Sequence, residues 1–109
     1  MSDSNQRRDR VLHALSDSSR RHLLHGIAAG LGSVAEISDS LTMTGPAVSK
    51  HLRVLEKCGL IERCRKGRFH RFVLQPEPIA EAVETLSELL QPSKSVMEPI
   101  ADEFDVALL

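Results

Sequence analysis

A chain of 109 residues, 41% hydrophobic and 27% charged, is sized for one domain with one core, and no apolar run approaches the roughly 18 residues that span a bilayer. The formal net charge of -1 hides a division, because residues 1–75 carry thirteen Lys/Arg against seven Asp/Glu while residues 76–109 carry one against eight. Two cysteines, Cys58 and Cys64, are too few for a disulfide framework and lack CxxC spacing, which argues against both a secreted scaffold and a zinc finger.

The first ten residues, MSDSNQRRDR, are polar with no apolar segment behind the arginines. They lack the plan of a secretory signal, so a cytoplasmic location with reduced thiols is expected. Residues 1–6 are expected to be flexible. A first helix then runs from about Arg7 to Leu15, with Val11, Leu12 and Leu15 on one stripe. Asp17 is placed to cap a second helix, Ser18 to about Ala29, in which Leu23, Leu24 and Ile27 face inward; Gly30 and Gly32 mark the turn that closes it. Ser33-Val34-Ala35-Glu36 has the spacing of a capping box and opens a third helix through Leu41.

Thr42-Met43 breaks the pattern, and Thr44 caps a fourth helix that reaches Cys58. Pro46 is tolerated in its first turn, and Gly59 can take the left-handed conformation that stops it. Two helices joined by a tight turn have the order of a helix-turn-helix, whose second helix is the reader. At about 100° per residue, Val48, Leu52 and Leu55 share one stripe, and Pro46, Lys50, Arg53 and Lys57 fall opposite. A helix apolar behind and cationic in front, with small residues in its first turn, suits the DNA major groove. Thr44, Gly45, Pro46 and Ser49 are expected near base edges, with Lys50 and Arg53 on phosphates. His51, about 60° from the buried stripe, is either a DNA contact or a boundary histidine.

Ile61–Arg65 and Phe69–Leu74 read as two strands flanking Arg65-Lys66-Gly67-Arg68, a hairpin with Phe72 and Leu74 as its inward pair. Arg65, Lys66 and Arg68 at its tip can reach phosphates or the adjacent minor groove. Residues 44–71 hold eight Lys/Arg and only Glu56 and Glu62, so the low net charge does not count against a nucleic-acid partner.

Gln75-Pro76-Glu77-Pro78 interrupts the chain before a last helix from Ile79 to about Leu90. Ile79, Val83, Leu86 and Leu90 form a seam at i, i+4, i+7 and i+11, with Glu81, Glu84 and Glu88 off it. A domain of short helices and one hairpin leaves this seam little core to join, which points to self-association. The expected architecture is therefore mainly α with a small β-hairpin, a dimeric winged helix-turn-helix. Residues 1–6 are its flexible N-terminus and 7–91 its DNA-binding domain with dimerisation helices at both ends; 92–109 form an acidic tail. Its partners are double-stranded DNA and a second copy of itself; neither a membrane nor a cofactor is expected.

The residues Ala14-Leu15-Ser16-Asp17-Ser18-Ser19-Arg20, the run AVSKHLRVLEKCGLI over residues 47–61, and the wing Arg65-Lys66-Gly67-Arg68 together resemble the ArsR family of winged-helix transcriptional regulators. The likeness spans roughly residues 10 to 90, and the 47–61 run is its specific part. It implies a homodimeric bacterial repressor that releases operator DNA when an effector binds, with the first and last helices as dimer interface. It also raises Ser49 and His51 as DNA contacts, since a serine and a histidine stand at this spacing in the family. The family's best-known members sense metals, through a cysteine pair at the start of the third helix or through Asp and His on the last. This chain has Val34-Ala35-Glu36-Ile37 at the first place and no His on the last helix, so it resembles a metal-independent branch with an effector of unknown kind.

Other readings of the same residues stay open on the sequence. His22 and His25 lie one turn apart and can share an ion with a third ligand such as His13, but the sequence identifies no fixed third ligand. Cys58 and Cys64 can form a thiol switch at the corner between helix and wing. A winged-helix protein-interaction module built on the acidic last helix and tail would bind without the basic face. Catalysis has no support: Ser49 and His51 point about 200° apart on one helix, and no phosphate-cradling glycine loop is present.

Overall fold

The computed structural model describes residues 3–91, which form five helices and one antiparallel hairpin; the expected acidic tail, 92–109, lies outside the described residues. In chain order these are α1 (Asp3–Leu15), α2 (Ser18–Ala28), α3 (Val34–Leu41), α4 (Gly45–Lys57), β1 (Ile61–Lys66), β2 (Phe69–Leu74) and α5 (Pro76–Glu88).

Helix ends follow the capping residues. Asp17 accepts the amides of Ser19 (2.8 Å) and Arg20 (3.2 Å) to start α2. The Arg20 guanidinium turns back to donate to the Ala14 and His13 carbonyls, and Arg21 donates to Leu15, so α2 satisfies the open carbonyl end of α1. Ser33 and Glu36 form the expected capping box on α3. Thr44 accepts from the Ala47 amide to start α4. At the far end of α4, Gly59 sits at φ +83°, its amide bonds to Glu56 and that of Leu60 bonds to Leu55, the two-bond glycine stop.

Two helix starts depart from the sequence expectation. Helix α1 begins at Asp3 rather than Arg7, so residues 3–6 of the expected flexible segment 1–6 are helical, and residues 1–2 lie outside the described residues. No glycine or proline interrupts residues 3–10, and a carboxylate in the first turn suits the positive end of the helix dipole. Helix α5 begins at Pro76 rather than Ile79. Its first amides have no intrahelical acceptor, so Pro76 and Pro78 forfeit nothing in the first turn.

One core joins every helix to the hairpin. Val48, Leu52 and Leu55 of α4, the stripe read from the sequence, pack with Leu23 of α2, Ile37 of α3 and Phe72 of β2. Leu74 is half-buried against this core, while Phe69 and Val73 on the other side of β2 face solvent, as the strand alternation required.

The interface residues proposed from the two end helices divide differently. Val11 is buried in the subunit's own core, 3% exposed, because α1 packs on α2, α4 and α5; it is thus removed from any outer face. Leu12 and Leu15 are half-buried at its edge. On α5 the residue that enters the core is Ala82, with Ile79 packed beside it. These two are three apart, so the i, i+4, i+7 stripe shares only Ile79 with the inward face. Val83 and Leu86 point away, 56% and 51% exposed, and Leu90 lies past the helix end at 83%.

Candidate nucleic-acid interface

The face opposite the buried stripe of α4 is open. Pro46, Lys50, Arg53 and Thr44 are exposed, and Gly45 is half-buried in the first turn. The hairpin closes with Lys66 paired to Phe69, leaving Gly67-Arg68 as a two-residue turn with Gly67 at φ +63°. Arg65, Lys66 and Arg68 are all exposed around that tip.

Ser49 and His51 take opposite flanks of α4. His51, half-buried, lies close enough to the α2 cap to affect it. The Asp17 carboxyl is held below its usual value first by the Arg20 amide and then by that of Ser19, and attraction to Arg20 and His51 adds to this. His51 thus lies near the boundary with α2. Ser49 is half-buried on the other flank. It faces a hollow of about 260 Å³ between α4 and the hairpin, together with Arg53, Arg63 and His70.

Two residues of that hollow, Arg63 and His70, were not among the expected DNA contacts. Arg63 stands opposite Phe72 in the strand register, with its guanidinium 5.1 Å from the ring centroid and 3.3 Å from Glu56 Oε1. The available signal was alternation: His70 shares the inward side of β2 with Phe72, and its cross-strand neighbourhood includes Arg63.

A fourth wing arginine is tied to its own subunit while staying half-exposed. Arg71 donates to the Gly30 carbonyl (2.9 Å) and approaches Glu36 (3.8 Å), while the Phe72 amide donates to the Gly32 carbonyl (2.9 Å). A Cβ on Gly32 would stand 2.6 Å from the Arg71 guanidinium, so the bare backbone there leaves room for that side chain. The Glu36 carboxyl is held below its usual value by the amide of Gly32, then by that of Ser33, with Arg71 adding attraction.

The cysteines occupy different surroundings. Cys58 lines a cleft against Asp9, Arg10 and His13 of α1, and burial pushes its thiol up. Cys64 lies on the exposed outer side of β1, opposite Arg71. Both are free thiols. His13, His22 and His25 are exposed, and among the described residues no three His, Cys, Asp or Glu side chains are grouped to hold a metal. Among the described residues no helix is long and apolar enough to cross a membrane.

Comparison with known proteins points the same way. The family described as "Bacterial regulatory protein, arsR family" matches residues 17–63. The chain is similar to the HTH-type transcriptional regulator Rv2034 of Mycobacterium tuberculosis, 37% identical over 70 residues, which are 64% of each chain. It is similar to the transcriptional repressor SdpR of Bacillus subtilis, 27% identical over 67% of this chain and 81% of that one. With the HTH-type regulator YuzN, also of Bacillus subtilis, identity is 32% over 69% of this chain and 89% of the relative. Among solved structures, an ArsR-like transcriptional regulator from Rhodococcus sp. RHA1 superposes with a TM-score of 0.72 at 25% identity, covering 98% of this chain and 91% of that one. The homodimeric winged helix-turn-helix domain Mb0332 of Mycobacterium bovis superposes at 0.65 with 24% identity, covering 83% and 87%.

Proposed function

The chain belongs to the arsR family of bacterial regulatory proteins and is a transcriptional regulator with a winged helix-turn-helix DNA-binding fold, not an enzyme; from that premise we propose that it is a homodimeric repressor of an inverted-repeat operator. Each subunit lays α4 in a major groove, the two copies lying in successive grooves about 10–10.5 base pairs apart. Thr44, Gly45 and Pro46 approach the base edges. Lys50 and Arg53 dock α4 on the backbone, and Arg65, Lys66 and Arg68 carry the hairpin to phosphates or the adjacent minor groove.

The observation that carries this reading is the exposed cationic face of α4 together with an exposed basic hairpin tip, Arg53 bordering the hollow between α4 and the hairpin strands. The repressor role is supported by likeness to SdpR, and the dimer by the outward apolar residues of α5 together with the homodimeric Mb0332 domain. Release follows an effector other than the family's usual metals, since Val34-Ala35 stand where one metal site needs cysteines and α5 carries no histidine. Both steps take place in the cytoplasm.

Selection of bound fragments from genomic DNA, followed by footprinting, tests the reading. One protected inverted repeat is the expected result. Arg53→Ala with Arg68→Ala should then reduce the salt slope of binding by about two units, one per lost contact. An unchanged affinity and slope in that double variant would remove the docking described here.

A further inference from the structure

The hollow between α4 and the hairpin has no role in the family likeness, yet its chemistry is specific. Arg53 and Ser49 enter it from the helix, Arg63 and His70 from the hairpin, and Leu52 and Phe72 form its apolar floor. We propose that this hollow is a clamp for one phosphate of the DNA backbone per subunit, with Arg63 and His70 as contacts additional to the basic tip. The proposal rests on the DNA-binding reading given above.

Three observations carry it. Position comes first: a helix lying in the major groove and a hairpin reaching the adjacent minor groove have between them the sugar-phosphate backbone that divides the two grooves. The hollow occupies that interval. Arg63 is also held in place before any ligand arrives, by Glu56 at 3.3 Å on one edge and the Phe72 ring at 5.1 Å on its face. A guanidinium has five N–H donors, and Glu56 receives one, so the remaining edge can meet phosphate oxygens in the paired geometry that suits them. Finally, three side chains that carry N–H donors, Arg53, Arg63 and His70, line this one hollow above Leu52 and Phe72.

The clamp also gives Ser49 a different task. Its hydroxyl sits in the hollow, at the side of α4, and donates to the phosphate, so it contributes position rather than base choice. Helix and hairpin then grip the same group from both sides, which couples their docking.

The test uses duplexes carrying the selected operator with a single neutral methylphosphonate linkage moved along each strand, and compares the full chain with R63M and H70Q. Arg63→Met keeps an unbranched stem over Phe72 while removing the charge, and thermal melting of each variant in the absence of DNA reports any loss of fold. For the unaltered protein, neutralising the linkage at the clamp should weaken binding roughly tenfold, alongside the linkages met by Lys50 and the hairpin tip. R63M should bind the fully charged duplex roughly tenfold more weakly, with a salt slope lower by about one unit, and should lose clearly less than the unaltered protein when that same linkage is neutralised, since Arg53 and His70 remain there. If every linkage weakens R63M as much as the unaltered protein, the clamp is wrong even though DNA binding stands. A parallel titration with inorganic phosphate, followed by NMR of the Arg63 and His70 side chains, separates the two readings. Should no duplex be bound while phosphate shifts both side chains in the unaltered protein and not in R63M, the hollow is a site for free phosphate and the operator reading falls. Should neither duplex nor phosphate bind, both fall.

Discussion

Helices α4 and α5 are each thirteen residues long and each carries an apolar stripe, yet only one stripe is buried. In α4, Val48, Leu52 and Leu55 all lie in the core. In α5 only Ala82 does, and Val83 and Leu86 remain more than half exposed. The difference lies in the neighbours: α4 is enclosed by α1, α2, α3 and the hairpin, whereas α5 packs on α1 alone among the helices. An amphipathic period states that a face seeks cover, and the tertiary arrangement decides whether that cover comes from the same chain. Under the proposed dimer, α4 has a stability role behind and a recognition role in front, and α5 has an assembly role.

Substitutions can break or sharpen this contrast. The largest effect is expected at Leu55, where Leu55→Ala should cost about 2–5 kcal/mol in chemical denaturation by opening a cavity in the enclosed core. Leu86→Glu on α5 should leave the stability of the monomer within about 0.5 kcal/mol, as a surface change does, while abolishing self-association in sedimentation at micromolar protein. A monomer destabilised as strongly as by Leu55→Ala would show that α5 completes the core of its own subunit.

The helix starts give a smaller contrast. Thr44→Ala removes the acceptor for the Ala47 amide and should cost about 1 kcal/mol, whereas Gln75→Ala should cost almost nothing because the Gln75 side chain makes no capping bond. Equal losses at the two sites would mean that Thr44 acts by something other than its cap. The last expectation concerns acid. Asp17 and Glu36 are both held below their usual values in the fold, so their ionised forms favour it; that contribution is complete at neutral pH and is lost as pH falls through the folded values. Glu36→Gln should therefore lower the melting temperature at pH 7 and less so toward pH 3, the two curves converging as the native carboxyl takes up its proton. Parallel curves across that range would mean that the Glu36 charge does not favour the fold.

Much of the fold was legible because its signals are local. The Asp17, Ser33 and Thr44 caps act on amides two or three residues away, and the Gly59 stop acts on carbonyls of the preceding turn. The exposed row Pro46, Lys50 and Arg53 follows from the same period that buries Val48, Leu52 and Leu55. The start of α5 was misread because two prolines usually mark a break, and only the absence of acceptors in a first helical turn makes them compatible there.

Contacts between distant segments were not legible. Arg71 carried no assignment in the sequence, yet its guanidinium bonds to the Gly30 carbonyl across 41 positions and lies against Gly32, so it latches the hairpin to the α2–α3 loop. Val11 looked like an interface residue because a stripe on a short helix does not say which neighbour will cover it. Arg63 and His70 carried no motif, and their place beside Ser49 and Arg53 exists only once β1 pairs with β2 and the hairpin folds against α4.

The sequence by itself determined where most of the helices start and stop, which face of α4 is apolar and where the cations cluster, because capping, period and turn chemistry act over four residues or fewer. Tertiary structure alone decided which arginines face solvent and which hold the subunit together, whether Ala82 or Val83 enters the core, and which side chains share the hollow beside α4. Those outcomes depend on separations in space between residues far apart in the chain, and no local pattern encodes such a distance.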